Sequence, residues 1–170
     1  HFAHLRLPFP KALVGYRPRH GRDHPDSRTQ IDALSPRQSA LLPEFYHATA
    51  AHFCPLDYLT HTILPGLLRQ QGFSMLTVDP PARAMNPIFW DDIPAMLAGL
   101  TAFMPSEEEV RGLFLGRSSD LWEMAEALAK YGCDYVVIKR GALGQMLYDS
   151  TSKTRWEIPA YPARLTNPTG

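Results

Sequence analysis

The fold of this chain is decided by residues 120–144, DLWEMAEALAKYGCDYVVIKRGALG, because a helix there leads directly into a buried strand. Apolar side chains recur at helical spacing through Asp120–Tyr131, and Gly132 is typical of the residue that closes a helix. Residues 135–138 (YVVI) are short, apolar and β-branched, which predicts a strand inside a sheet. A helix followed at once by such a strand indicates an α/β fold with a parallel sheet.

The same alternation continues on both sides of this unit. Further strands are predicted at 45–53, Phe73–Asp79 and Leu100–Met104. Further helices are predicted to begin at Asp57, near Asp92 and at Ser106. Gln145–Asp149 and Thr154–Ile158 read as a hairpin. Together these segments predict a mostly parallel sheet covered by helices on both faces, with an antiparallel hairpin at its C-terminal end.

The helix expected from Asp57 carries the least regular pattern. Its apolar face is predicted to contain Leu59, Ile63 and the pair 67–68, with an interruption at Pro65-Gly66 because proline lacks the backbone N–H that a helix interior needs.

Composition limits the classes of partner and the compartment. The 170 residues carry 17 basic and 17 acidic side chains, which disfavours a broad surface for nucleic acid. No apolar run approaches the roughly 20 residues that a membrane helix requires, and no signal peptide opens the chain. The two cysteines, Cys54 and Cys133, match no metal or redox spacing, which favours buried free thiols in a cytoplasmic protein.

The chain divides into two segments by composition. Residues 1–34 are rich in arginine and histidine and show no helical period, which indicates a loop or lid-proximal segment. Residues 35–170 contain the regular alternation of strands and helices. This second segment is therefore expected to form the core of the domain.

Polar groups follow several of the predicted strands, where parallel sheets gather ligands. They are Asp79 with Arg83, Ser106 to Glu109, Lys139 to Gly144, and Asn167 to Gly170. Each has a structural interpretation as well as a functional one. Asp79 and Arg83 can form a loop ion pair or meet a phosphate, and Ser106 and Glu109 can form a capping box or help to place Mg²⁺.

The two glycine-containing stretches likewise have both a structural and a functional interpretation. Gly141 and Gly144 fit a tight turn, and they also fit a close backbone approach to a nucleotide. Asn167-Pro168-Thr169-Gly170 is an ordinary turn by its spacing, and it is also the possible opening of an anion-binding turn at a helix N-terminus.

Four segments occur in the order found in the PfkB/ribokinase family of carbohydrate kinases. Residues 78–83 (VDPPAR) resemble the family's Asp-Pro-Asn-x-x-Arg stretch, with proline at the asparagine position, and residues 104–109 (MPSEEE) resemble Pro-Asn-x-x-Glu, with Ser106 replacing asparagine. Residues 137–144 (VIKRGALG) are similar to the nucleotide-side strand and Gly-x-x-Gly turn, with lysine where threonine is commoner. Residues 167–170 (NPTG) resemble the start of Asp-Thr-Thr-Gly-Ala-Gly-Asp, with Asn167 at the first aspartate.

The resemblance implies a ribokinase-like three-layer αβα sandwich, here a partial domain, that uses ATP and Mg²⁺ to phosphorylate a small sugar. It implies nucleotide contacts from five residues: Ser106, Lys139, Gly141, Gly144 and Asn167. It implies phosphate-side or substrate-side roles for Asp79 and Arg83, a magnesium role through water for Glu109, and an anion hole at Gly170.

The resemblance also implies that the chain is an internal piece of a longer kinase. The family's catalytic aspartate would lie just beyond Gly170, and its N-terminal sugar-binding segment is not present. The longer protein is therefore expected to be active and these 170 residues inactive. A homodimer is compatible with the exposed sheet edges of a partial domain.

Two other functions compete with a kinase. The departures at Pro81, Ser106 and Asn167 would suit a kinase-like module that senses a nucleotide or sugar without turnover. An unrelated dinucleotide-binding enzyme ranks last, because no Gly-x-Gly-x-x-Gly follows any predicted strand.

Overall fold

The computed structural model describes residues 47–56 and 58–162. The predicted features of residues 1–46 lie outside the described residues. The same holds for the proposed site residues Asn167 and Gly170.

The described residues form six strands and four α-helices. The strands are β1 (Ala50–Phe53), β2 (Met75–Val78), β3 (Ala102–Phe103), β4 (Tyr135–Lys139), β5 (Gln145–Asp149) and β6 (Arg155–Ile158). The helices are α1 (Tyr58–Gln70), α2 (Ile93–Leu97), α3 (Glu107–Leu113) and α4 (Leu121–Ala129). Short 3-10 helices occupy Ala82–Ala84, Pro87–Asp92 and Gly141–Leu143. None of the described helices is long and apolar enough to cross a bilayer.

The six strands make one sheet in the order β1-β2-β3-β4-β5-β6. Strands β1 to β4 are parallel, while β5 is antiparallel to both of its neighbours. The predicted mostly parallel sheet and its C-terminal antiparallel hairpin are therefore confirmed. The first strand is shorter than predicted, since pairing with β2 begins only at Ala50.

The two faces of the sheet differ in burial. Alternate residues such as Leu76, Val78 and Ile138 are completely buried among helical side chains. On the opposite face Met75 is 54% exposed and Trp156 is 57% exposed. Strands β1 to β4 lie side by side in the order in which they occur along the chain. Right-handed connections between strands in this order place all the connecting helices on one face of the sheet. The described residues supply one helical layer; the second layer expected on the other face is not among them.

Helix α4 confirms the prediction made from its apolar spacing. The Asp120 carboxylate accepts hydrogen bonds from the backbone N–H groups of Trp122 and Glu123, which satisfies the free donors of the first turn. The face that contains Met124 and Leu128 is buried against the sheet. Gly132 follows the helix with a φ of 98°, a left-handed conformation that glycine adopts without strain.

The prediction for helix α1 was wrong in two respects. The helix continues through Pro65, and Ile63, expected inside, is 51% exposed. Leu68 is buried as predicted, and His61 and Leu64 lie on the same buried face. His61 is tolerated there because its Nε2 accepts a hydrogen bond of 3.0 Å from the backbone N–H of Leu56. The apolar pattern alone could not indicate that a histidine lies on the core side.

The two thiols lie in different environments, which corrects the expectation that both are buried. Cys54 is exposed, while Cys133 is 1% exposed. Burial raises the pKa of the Cys133 thiol to about 12, and its Sγ donates a hydrogen bond to the carbonyl of Tyr135. The two thiols should therefore differ in reactivity, because the thiolate is the reactive form.

One thiol per folded chain should react quickly with a disulfide reagent near pH 8, and the second only in denaturant. Cys54→Ser should abolish the fast phase, while Cys133→Ala should leave it unchanged. Absorbance stopped-flow on the folded and denatured chain separates the two phases. Equal rates for both thiols in the folded chain would contradict the burial of Cys133.

Candidate functional site

The polar residues singled out in the sequence lie along one edge of the sheet. Parallel strands β1 to β4 end at this edge, which we call the carboxyl edge. Asp79 follows β2 directly, Ser106 follows β3 after two residues, and Lys139 ends β4. The backbone joins two of these ends, since Lys139 N–H donates to the Pro105 carbonyl at 2.8 Å and Ser106 pairs with Lys139 in a parallel bridge.

An ion pair crosses the carboxyl edge from β4 to β2. The Lys139 Nζ lies 2.7 Å from Oδ1 of Asp79, although 60 residues separate them in the chain. Both side chains remain partly open to solvent, with exposed fractions of 41% for Lys139 and 26% for Asp79. A ligand in solution can therefore reach either charge.

Arg83 does not take part in this pair. It lies exposed in the 3-10 helix Ala82–Ala84, where its carbonyl accepts a hydrogen bond from the Asn86 side chain. The loop ion pair considered between Asp79 and Arg83 is not formed, because Asp79 pairs with Lys139. The Arg83 guanidinium makes no ion pair with any residue in 47–56 or 58–162.

Ser106 and Glu109 form the capping box that the sequence predicted. The Glu109 N–H donates to Ser106 Oγ at 3.2 Å, and the Ser106 N–H donates to Glu109 Oε2 at 2.7 Å. These reciprocal bonds satisfy two free donors at the start of α3 and fix the Glu109 carboxylate beside Ser106. The side chain of Glu109 remains half-buried, so the cap and a role toward a ligand are compatible.

A metal ion would depend on more than protein carboxylates here. Among the described residues, no group of three or more His, Cys, Asp or Glu side chains is arranged to hold a metal ion. Mg²⁺ commonly keeps several waters and takes the rest of its ligands from one or two carboxylates and from substrate phosphates. Glu109 fits such a role better than it fits a closed protein cage.

Sequence reasoning missed a second ionic cluster at this edge. The Glu107 carboxylate accepts hydrogen bonds from Arg111 and from Arg140, whose Nε lies 3.0 Å from Oε2 of Glu107. Arg111 also donates to the Ser119 carbonyl. The i,i+4 spacing of Glu107 and Arg111 could have been read from the sequence. The contact with Arg140, which lies 33 residues further on, could not.

The arginines around Glu107 create a pH-dependent contribution to stability. Hydrogen bonds from Arg111 and then Arg140 lower the pKa of Glu107 below its ordinary value. With a lowered folded-state pKa, this stabilisation is complete above the unfolded-state pKa and disappears as the pH falls through the folded-state value.

Glu107→Gln should lower the free energy of unfolding by about 0.5–1 kcal/mol near pH 7 and by almost nothing near pH 2. Urea denaturation of wild type and variant at both pH values measures the difference. Glu108→Gln is the matched control, since Glu108 is exposed and makes no ion pair with a described residue. A Glu107→Gln effect that is equal at both pH values would show that the ion pairs do not cause it.

The two glycines of the turn after β4 have different surroundings. Gly141 has a φ of 55°, and a Cβ added there would meet nothing within 4 Å. Gly144 has a φ of 85°, and an added Cβ would lie 2.0 Å from the carbonyl oxygen of Ile158. Close approach by its own chain therefore explains Gly144, while Gly141 stands beside open space.

The last described strand returns to the same edge. Ile158, the final residue of β6, pairs with Gln145, which in turn pairs with Lys139. The chain therefore leaves the described part of the sheet at the carboxyl edge. Nine positions separate Ile158 from Asn167, the first residue of the predicted anion-binding turn.

No protein-family model matches the sequence, and no curated protein matches it either. Solved structures do match. A pyrophosphate-dependent kinase in the ribokinase family shares 21% identity and a TM-score of 0.56, over 79% of this chain and 48% of that chain. A PfkB protein from Polaromonas sp. JS666 shares 20% identity and a TM-score of 0.55, over 70% and 42% of the two chains.

A third matching structure contains ligands. It is an E. coli protein assigned as a ribokinase II, in complex with ATP and Mg²⁺, with 19% identity and a TM-score of 0.54 over 75% of this chain and 42% of that chain. Ribokinases from Giardia lamblia and Thermotoga maritima also match. The chain spans less than half the length of each of these structures.

At these identities the likeness establishes the fold. The chain has the ribokinase-like fold.

Proposed function

We propose that this chain is part of a carbohydrate kinase of the PfkB/ribokinase family, which transfers the terminal phosphoryl group of ATP to a hydroxyl of a sugar or sugar-like acceptor. The observation that carries the proposal is the meeting of Asp79, Ser106 and Lys139 at the carboxyl edge of a ribokinase-like sheet. This is the edge at which open parallel sheets bind their ligands.

ATP and Mg²⁺ are the proposed cofactors. Phosphoryl transfer places negative charge on the transferred group, and catalysis consists mainly of positioning and of electrostatic stabilisation. Lys139 supplies positive charge at the edge, and the open space beside Gly141 leaves room for a ligand near the backbone. The Glu109 carboxylate, held by its cap, would help to hold Mg²⁺ through water, and the ion when bound would neutralise negative charge on the phosphates.

The remaining assignments follow the sequence resemblance. Asp79 and Arg83 would lie toward the phosphates and the acceptor, while Ser106, Gly144 and Asn167 would lie on the nucleotide side. Gly170 would contribute a backbone N–H to the anion hole. A cytoplasmic location, where ATP is available, and a small-molecule acceptor belong to the same proposal.

We propose further that the catalytic base lies outside these 170 residues. The Gly-Ala-Gly-Asp tetrapeptide that provides the base in the family does not occur in the sequence. Without a base to take the hydroxyl proton, the chain would bind ligands and transfer no phosphate.

The test is ATP-dependent phosphorylation by the full-length protein, with hexoses, pentoses, keto-deoxy acids and nucleosides as acceptors and with ATP and pyrophosphate as donors. Formation of a phosphorylated acceptor, detected by mass spectrometry, is the expected result. If the folded protein binds Mg²⁺ and ATP and phosphorylates no acceptor, it is the sensing module considered as the alternative. Turnover by the 170-residue chain itself would contradict the assignment of the base.

A further inference from the structure

The Asp79–Lys139 pair places a carboxylate beside the cation that would meet a phosphate. Strands β2 and β4 flank β3, so their ends lie two strand spacings apart, about 10 Å. Lys139 must extend across the end of β3 to reach Asp79 at 2.7 Å. A lysine without such a contact would sample many rotamers in solvent, because its four-carbon stem is flexible.

We propose that Asp79 is a positioning residue for Lys139: its carboxylate holds the ammonium across the end of β3, where the ammonium binds the polyphosphate of the phosphoryl donor. The inference rests on the proposed function and goes beyond it, since it couples two residues that the sequence suggested separately. Recognition at this point depends on the phosphates and not on a base or a ribose. Inorganic pyrophosphate is therefore a sufficient probe.

The geometry leaves the ammonium able to bind an anion while it is paired. Lysine has three N–H donors, and Asp79 accepts one of them. The Lys139 side chain is 41% exposed, so a phosphate oxygen can approach it without breaking the pair. The Asp79 carboxylate then fixes the direction in which the Lys139 ammonium meets the phosphate, although its own negative charge repels the phosphate.

The charge of Asp79 makes the proposal sharply testable. If Asp79 acted only through its charge, Asp79→Asn would remove a repulsion and would strengthen the binding of an anion. If Asp79 positions Lys139, the same change releases the ammonium and weakens binding. The two accounts therefore predict opposite signs for one substitution.

Isothermal titration calorimetry of the 170-residue chain with Mg²⁺-pyrophosphate, Mg²⁺-ATP and adenosine gives the measurement. Wild type should bind both polyphosphates and not adenosine. Lys139→Met should weaken the affinity for both polyphosphates by about tenfold or more, and Asp79→Asn should weaken it by about threefold or more. Lys139→Arg should restore most of the affinity that Lys139→Met loses, because a cation is again present.

The double variant and a matched control complete the design. Asp79→Asn in the Lys139→Met background should not weaken binding further, because the positioned group is already absent. Asp134→Asn makes the same charge change at an exposed position just before β4, at the opposite edge, and should leave affinity unchanged. Circular dichroism melting of each variant separates a folding defect from a loss of binding.

Three results would overturn the inference. They are tighter or unchanged polyphosphate binding by Asp79→Asn, additive effects in the double variant, and no measurable polyphosphate binding by the folded wild-type chain. None of these results tests the proposed function, because that function is tested by phosphorylation of an acceptor by the full-length protein.

Discussion

Gly144→Ala is expected to lower the free energy of unfolding by about 3 kcal/mol or more. Two effects combine at this position. The φ of 85° is strained for any residue with a Cβ, and the added Cβ would lie 2.0 Å from the Ile158 carbonyl oxygen and 2.7 Å from the Ala160 nitrogen. Both neighbours are backbone atoms, which cannot turn aside as a flexible side chain can. The hairpin β5–β6 would have to shift.

Gly141→Ala is the matched control for this prediction. Its φ of 55° is also left-handed, but a Cβ there meets nothing within 4 Å. Gly141→Ala should therefore lower the free energy of unfolding by only about 1 kcal/mol, which is the cost of the left-handed backbone conformation alone. Urea denaturation followed by circular dichroism compares the two variants. Equal costs would show that the close approach of Gly144 to the backbone at the end of β6 is not a feature of the folded protein.

Phe103→Ala is expected to lower the free energy of unfolding by about 3–5 kcal/mol. The side chain is completely buried, and β3 contains only Ala102 and Phe103, paired with β2 on one side and β4 on the other. Few backbone hydrogen bonds hold so short a strand, so side-chain packing must contribute much of its stability. The loss is large because the whole free energy of unfolding of a typical protein is about 5–15 kcal/mol.

Phe103→Leu tests whether the effect comes from the cavity. Leucine retains much of the buried volume, so Phe103→Leu should lower the free energy of unfolding by only about 1.5 kcal/mol. Thermal and urea unfolding of both variants provide the comparison. A Phe103→Ala chain close to wild type in stability would contradict the placement of this side chain in the core. Because Asp79, Ser106 and Lys139 stand at the ends of β2, β3 and β4, the Ala variant should also bind polyphosphate more weakly.

The sequence predicted the features whose causes are local. The capping box needs only the spacing of Ser106 and Glu109, and the end of α4 needs only Gly132. The alternation of strands and helices follows from hydrophobic period, and the carboxyl edge follows from the direction of parallel strands. The sequence alone therefore places Asp79, Ser106 and Lys139 at one edge of the sheet.

Contacts between distant segments could not be predicted in the same way. The choice of Lys139 rather than Arg83 as the partner of Asp79 depends on which side chain reaches across β3. The Glu107–Arg140 contact depends on how α3 lies beside the end of β4. The exposure of Cys54 and the buried position of His61 depend on tertiary packing, which no local pattern records.

The most direct test of the central claim, that the carboxyl edge of this sheet binds a magnesium–polyphosphate, is a backbone NMR titration of the chain with Mg²⁺ and a non-hydrolysable ATP analogue. Amide resonances of Asp79, Ser106, Glu109, Lys139 and Gly141 should shift with a common dissociation constant. Those of Gly132 and Ser150, which lie near the opposite edge, should remain in place. Shifts confined to the opposite edge, or no saturable shift at the five named residues, would contradict the account.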